Sequence, residues 1–320
     1  MRRLFKQIYP LVCAYYSLTD WLANLRYRKG VIDTDSGTAH LALTVDQSVA
    51  YIEEVFTDYK KYAGIMRFEG RVAEVGPGDN AGVGLLFLQD GCAFVDMVDR
   101  FYSRRNAQAQ TIIYRALWNK NPGLEPFLGG QDLEDETTFN SVKRWYGAEA
   151  AAEEFFVSNA GYDFIVSRAV FEHLYDPLLA INRMVNALNP GGMLLHKIDL
   201  RDHGMFSTAF HELKFLESPD WLHQKMTRAS GRPNRVLVHD YRKCLEVKPI
   251  TFDLLVTRLA GVGDIVPHLQ YGDIPQELRQ KSISYVQSVR HRFASSLRCV
   301  SDEDLSVAGV FIIVRKSESS

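Results

Sequence analysis

The sequence predicts an α/β fold in which helices cover both faces of a mainly parallel sheet and an N-terminal helical cap comes first. Three observations carry that reading. From Arg71 onward, short apolar runs alternate with helical patterns, at 71–75, 93–98, 162–167, 193–198, 252–257 and 307–314. The first run passes through a glycine-rich turn directly into a helical run, the junction expected of a βα unit. Finally, 46% hydrophobic and 24% charged side chains in 320 residues supply a sizeable core at ordinary surface charge, which excludes disorder, collagen-like repeats and a disulfide scaffold.

Taken in order, Leu4, Ile8, Leu11, Tyr15, Leu18, Leu22 and Leu25 recur at three- or four-residue spacing and predict an amphipathic helix. Thr44 with Gln47 forms a capping box for a second helix, whose stripe is Val45, Val49, Ile52, Phe56 and Tyr59. Residues 1–65 are therefore expected to form the cap, and 66–320 the α/β domain. Within that domain, Asp176 as N-cap and Pro177 in the first turn open a helix carrying Leu178, Ile181, Val185 and Leu188, and Asn189-Pro190-Gly191-Gly192 stops it. Two stretches, 102–140 and 203–247, are longer than a minimal unit needs and read as insertions over the ligand face.

Charge and cysteine content exclude more. Thirty-seven Lys and Arg against 39 Asp and Glu leave a formal charge of −2, so no global basic field points to nucleic acid. Cys13, Cys92, Cys244 and Cys299 are too widely spaced for a redox pair or a zinc knuckle, and a reducing, cytoplasmic compartment is the simplest reading. The opening Met1-Arg2-Arg3-Leu4-Phe5-Lys6 mimics the start of a signal peptide, but Gln7, Tyr9, Pro10, Thr19 and Asp20 interrupt the apolar stretch that should follow. Basic residues beside Phe5, Tyr9, Tyr15, Tyr16 and Trp21 also suit a helix lying at the inner membrane face, while docking onto the protein itself explains the same pattern.

The central signal is the loop Gly76-Pro77-Gly78-Asp79-Asn80-Ala81-Gly82 between a buried strand and a helix. There, backbone N–H groups and a positive helix end converge on an approaching ligand. Twenty-five residues after Glu74, Asp99 ends the second strand and offers a carboxylate to both hydroxyls of a ribose. Glycine-rich turns also serve tight packing, so the loop by itself leaves both readings open.

Together with Asp99, with 162–177 containing Phe171-Glu172-His173, and with Asn189-Pro190-Gly191-Gly192, the loop resembles the motifs of class I S-adenosylmethionine-dependent methyltransferases, in particular the type 11-like group. The resemblance covers about 66–200 by motif and 250–316 by pattern. It implies a Rossmann-like, seven-stranded, mainly parallel sheet with a reversed last strand, and S-adenosylmethionine as cofactor. Position by position, it implies that Glu74, Gly76 and Gly78 surround the methionine part, that Asp99 holds the ribose, and that Ser167 lies near the sulfur. Asn80 stands where the third glycine is usual, with Gly82 two positions on, and Glu149 is the only substitute for the common adenine-side Asp.

Methyl transfer to a hydroxyl needs alignment and a proton acceptor. His173 and Asp199 follow adjacent parallel strands at their carboxyl ends, where ligands bind, and sugar O-methyltransferases of the resembling group carry His and Asp there. His203 is the next candidate. A turn-capping histidine fits His173 equally well. Asp199, Asp202 and His203 also have metal-binding chemistry, although a salt-bridged loop accounts for them and no metal is expected. The "IDLRDH" segment at 198–203 resembles bacterial glycan-modifying enzymes, which implies a sugar or glycan acceptor. Arg100, Arg104 and Arg105 suit an acidic acceptor or a solvated helix face. Two rivals remain: a nicotinamide-dependent oxidoreductase, which needs Ala81 as its third small residue and lacks a Tyr-x-x-x-Lys set, and a non-catalytic methyltransferase-like binding module.

Overall fold

A computed structural model describes residues 7–130 and 133–318. Its strands are β1 (Asp33–Thr34), β2 (Gly70–Val75), β3 (Cys92–Asp99), β4 (Tyr102–Ser103), β5 (Val142–Tyr146), β6 (Tyr162–Arg168), β7 (Leu188–Asp199), β8 (Ile250–Leu259), β9 (Gly263–Gln270) and β10 (Val307–Lys316). The fold is mixed α/β, and its large sheet is mostly parallel. Two compact, discontinuous units divide the chain: one has residues 32–168, 180–196 and 313–320, and the other 1–31, 169–179 and 197–312.

The unit containing the glycine loop orders its strands β5-β3-β2-β6-β7. Val72 pairs in parallel with Val95 on one side and Phe164 on the other, and Val95 pairs with Val142. These runs lack polar alternation because both sheet faces are covered. The helix Val45–Ala63 starts at the Thr44–Gln47 capping box and buries Val49, Ile52 and Tyr59 of its predicted stripe together with Val55, while Val45 and Phe56 are only half-buried. A nest of edge-to-face rings, Phe56, Phe68, Phe87 and Phe164, fills the space beneath it.

One buried carboxylate ties four neighbouring strands of this unit together. Asp96 on β3 accepts two bonds from Arg71 of β2 (3.0 and 2.6 Å), one from Trp145 Nε1 of β5 (2.7 Å) and one from Tyr162 Oη of β6 (2.8 Å). A wholly buried carboxylate is tolerable only when so satisfied.

The other unit orders its strands β10-β8-β9, with β8 and β9 antiparallel. Phe206, Phe215, Met226, Val286 and Leu305 lie in its core together with Val12 and Cys13 of the helix Tyr9–Arg28. Strand β9 gives no clear sequence signal, because Pro267 interrupts its pattern; pairing only with β8, it is an edge strand, where proline is tolerated.

The helices expected to form one N-terminal cap belong to different units. The first also docks by an unexpected face. Ile8, Leu11, Tyr15, Leu18 and Leu22 of the apolar stripe are 41–56% exposed, while Val12, Cys13 and Asp20 are buried. Polar anchors set this rotation: Asp20 accepts from Ala229 N, Ser230 N and Ser230 Oγ, and Tyr16 Oη donates to Met205 O. Leu4 lies outside the described residues. The strand predicted at 193–198 begins earlier, at Leu188, so the Asn-Pro-Gly-Gly segment is its first part rather than a separate turn.

Replacing Asp96 with Ala leaves Trp145 and Tyr162 without their acceptor and Arg71 without its counter-charge. Asp96→Ala is expected to destabilise the protein by about 3–5 kcal/mol. Equilibrium urea unfolding should show a lower midpoint with an unchanged slope; an unchanged midpoint would contradict this role.

Candidate functional site

Parallel pairing of β2 with β3 sets Val75 against Val98, which brings Glu74 and Asp99 to the carboxyl ends of adjacent strands. Glu74 is buried, and its Oε2 has no hydrogen-bond partner. Burial pushes its carboxyl up to about 7, against the pull of the Arg144 guanidinium. Burial likewise raises Asp99 to about 6, opposed by the Phe101 amide, which donates to Oδ1 at 2.9 Å. Two carboxyl groups thus carry a desolvation cost at adjacent strand ends beside the glycine turn.

The turn itself is held from outside. Gly78 has φ of +66°, and a Cβ there would meet Gly37 O at 2.6 Å, so only glycine fits this crossing. The Gly37 carbonyl also accepts from Asp79 N at 3.0 Å. Gln110 bonds both Asn80 (2.5 Å) and Asp79 (3.2 Å), and Tyr114 Oη accepts from Ala81 N at 2.8 Å and donates to Glu136. Glu136 in turn pairs with Arg144, whose Nη1 donates to Gly78 O at 3.1 Å. Much of the 102–140 stretch thus braces the loop.

Asn80 turns inward, accepting from Gly82 N at 2.6 Å instead of facing a ligand. Gly82 has a steric reason of its own: a Cβ would strike Ile52 Cδ1 at 2.6 Å, so this glycine seats its helix, Gly82–Asp90, against Val45–Ala63. Ser167 is buried and bonds Nδ1 of buried His196 at 2.8 Å. Glu149 is exposed on the turn Ala148–Ala150. The three arginines after Asp99 have partners within the protein: Arg100 pairs with Glu153, Arg104 with Asp35 and Arg105 with Glu136.

In the other unit, the turn Phe171–His173 is pinned by Asn234, whose side chain donates to the carbonyls of Phe171 and Leu174 and whose N–H donates to Glu172 O. His173 Nδ1 bonds Gly231 O at 2.7 Å; because a carbonyl only accepts, Nδ1 carries the proton and Nε2 a lone pair. Burial, helped by His203, pulls this imidazole down to about 4 and keeps it neutral. Of the two candidate histidines, it is His203 rather than His173 that pairs with Asp199. His203 Nε2 lies 3.3 Å from Asp199 Oδ2, and the two imidazole rings meet edge to face, 4.8 Å between centroids.

Burial works against ionisation of Asp199, but hydrogen bonds from His203 and Arg201 outweigh it and hold the carboxyl below the usual range. Asp202, a metal candidate by sequence, is consumed by bonds from Gly204 N, Phe206 N, Ser207 N and Ser207 Oγ. That turn leaves His203 in the left-handed region at φ 46°, a cost seen where side-chain placement matters. Sequence reasoning missed Glu172, which is 1% exposed, with Oε1 3.6 Å from His203 Nε2. Its adjacency to His173 was the available signal. It also missed Gln110, Tyr114, Glu136 and Arg144, which no local motif marks.

A family model described as a methyltransferase domain matches residues 50–245. No curated protein matches the sequence. Solved structures resemble the chain at low identity. The YcgJ protein of Bacillus subtilis is 14% identical over 83% of this chain and 100% of its own, with a TM-score of 0.43. Phosphoethanolamine N-methyltransferase 2 of Haemonchus contortus, solved with phosphomonomethylethanolamine and S-adenosylhomocysteine, is 12% identical over 88% of this chain and 57% of its own, with a TM-score of 0.44.

Glu74 makes a pH-dependent prediction. Its folded value of about 7 lies above its ordinary 4.5, so its contribution to stability is full below about pH 4.5 and is lost as pH rises through about 7. Glu74→Gln removes that loss. Urea unfolding at pH 5 and pH 8 should show the variant gaining on the wild type as pH rises; a difference independent of pH would contradict the assignment.

Proposed function

Because the chain belongs to the methyltransferase-domain family, as a class I S-adenosylmethionine-dependent enzyme, we propose that it methylates an oxygen of a sugar or glycan intermediate. The observation that supports the acceptor side is the His173–His203–Asp199 cluster, in which His173 and Asp199 stand where the resembling O-methyltransferases carry a His and an Asp and His203 joins them.

The cofactor assignment is tested by the residues present. Glu74 Oε2 is a buried acceptor without a partner, suited to the amino group of the methionine part, and Asp99 is an acceptor for ribose hydroxyls. Gly78 lets the backbone of Gly37 cross the turn at close range, which fixes the loop's shape. When bound, S-adenosylmethionine supplies an electrophilic methyl group on a sulfonium. Glu74 and Asp99 then orient the donor, and the Gln110–Tyr114–Glu136–Arg144 brace keeps the loop from adapting away from it. The proposed work of His173, Asp199 and His203 is to bind the acceptor hydroxyl and to take up the proton it sheds.

We also propose cytoplasmic residence with peripheral contact at the inner membrane face. No helix among the described residues is long and apolar enough to cross a membrane. The exposed stripe of the helix Tyr9–Arg28 supports the peripheral contact: Ile8, Leu11, Tyr15, Leu18, Trp21 and Leu22 face out, with Arg26 and Arg28 in the last turn. Met1 to Lys6, which add three basic residues in sequence, lie outside the described residues.

Two measurements check these proposals. Methyl transfer to a panel of hydroxylated sugars, read as S-adenosylhomocysteine release, should fall by roughly 10²–10⁴ in His203→Ala and His173→Ala, with cofactor affinity retained; near-full turnover in both would overturn the acceptor assignment. The full chain should float with vesicles rich in anionic phospholipid at low salt and dissociate as salt rises. Leu18→Glu with Leu22→Glu should abolish flotation, and flotation unaffected by this pair would contradict the interfacial role.

A further inference from the structure

Among the described residues, one group of three or more His, Cys, Asp or Glu side chains brings its ligand atoms together: Glu172, His173 and His203, within 4.8 Å of one another. We propose that these three residues bind a divalent transition-metal ion, with Asp199 supplying a further oxygen. The first argument is Glu172. Its carboxyl group is 1% exposed, receives no side-chain hydrogen bond, and faces His203 Nε2 at 3.6 Å, beyond hydrogen-bonding distance. A carboxyl group this far from water without a hydrogen-bond partner keeps its proton until a cation takes that proton's place, which makes it an acceptor held in reserve for one.

The second argument is independent of Glu172 and concerns the histidines. His173 donates Nδ1–H to the Gly231 carbonyl at 2.7 Å, the outer contact that fixes the tautomer and orientation of a ligating imidazole, and its Nε2 lone pair is left for the ion. His203 is held on a left-handed residue by the Asp202 turn, so its ring is positioned by the backbone as well as by its neighbours. Asp199 Oδ2, 3.3 Å from His203 Nε2, is close enough to complete a mixed nitrogen and oxygen set.

The donor chemistry selects the ion. Two imidazoles with one or two carboxylates suit Zn²⁺, Co²⁺, Mn²⁺ or Fe²⁺, whereas Mg²⁺ and Ca²⁺ prefer oxygen alone. Donor atoms at most 4.8 Å apart have to draw in by roughly an ångström to reach bonds of about 2.0–2.2 Å, which side-chain torsions can provide. An ion on these ring nitrogens leaves neither imidazole free to take up a proton, so the metal site and the proton-acceptor role proposed above are alternatives that the titration below separates.

The test uses the full chain, treated with chelator and exchanged into metal-free buffer. Calorimetric titration with Zn²⁺ should give about one tight equivalent, and Co²⁺ should give a visible spectrum typical of nitrogen and oxygen ligation. Glu172→Gln, which preserves volume, should weaken Zn²⁺ binding roughly tenfold or more, and His203→Ala should abolish it. Circular dichroism and S-adenosylhomocysteine affinity report whether each variant is folded. Failure of the folded wild type to take up Zn²⁺, or uptake unchanged in both folded variants, would overturn the site. Zn²⁺ uptake lost in His203→Ala while turnover persists would uphold the metal site and remove the acceptor role.

Discussion

Asp96 is the constraint on which the glycine-loop unit depends. One buried carboxylate receives hydrogen bonds from β2, β5 and β6 while sitting on β3, so four parallel strands share a single electrostatic anchor. Parallel strands have no hairpins to fix their register, and their apolar runs specify it weakly because both faces are buried. A charge that must be satisfied removes that freedom. With the register fixed, Val75 lies against Val98 and Asp99 against Tyr146, and Glu74 and Asp99 come to adjacent strand ends.

The same economy of buried charge shapes the loop. Glu136 comes from the stretch between β4 and β5, yet through Tyr114 and Arg144 it governs the amide of Ala81 and the carbonyl of Gly78. The stretch that reads as an insertion in the sequence is, in this part, a brace. Rigidity of this kind matters for a displacement reaction, because the donor has to be held in line while the acceptor is presented. The histidine–carboxylate cluster of the other unit is built on the same principle, with Asn234 and Gly231 fixing one histidine and Asp202 the other.

The sequence made the strand ends and the loop legible, because both follow from local rules. Apolar runs bounded by glycine and asparagine gave five strands to within one or two residues at most ends, and Thr44 with Gln47 located a helix start. What it hid depends on partners distant in the chain. The orientation of the first helix is decided by Asp20 binding backbone groups at 229 and 230, so the periodic stripe shows the helix but not which side of it is buried. Asn80, in the glycine loop, is held by Gln110 and by the Gly82 amide, and the Gln110 partner lies too far along the chain for the loop's pattern to show. The histidine that pairs with Asp199 is His203, set by a strained turn that no motif announces.

The central claim is that Glu74, Gly78 and Asp99 form a site for S-adenosylmethionine, and calorimetric titration of the wild type and Asp99→Ala with S-adenosylhomocysteine and with NAD tests it most directly. The account predicts binding of S-adenosylhomocysteine, weakened by roughly 1–3 kcal/mol in Asp99→Ala through loss of the ribose contacts, and no comparable binding of NAD. Tight NAD binding without any response to S-adenosylhomocysteine would contradict it.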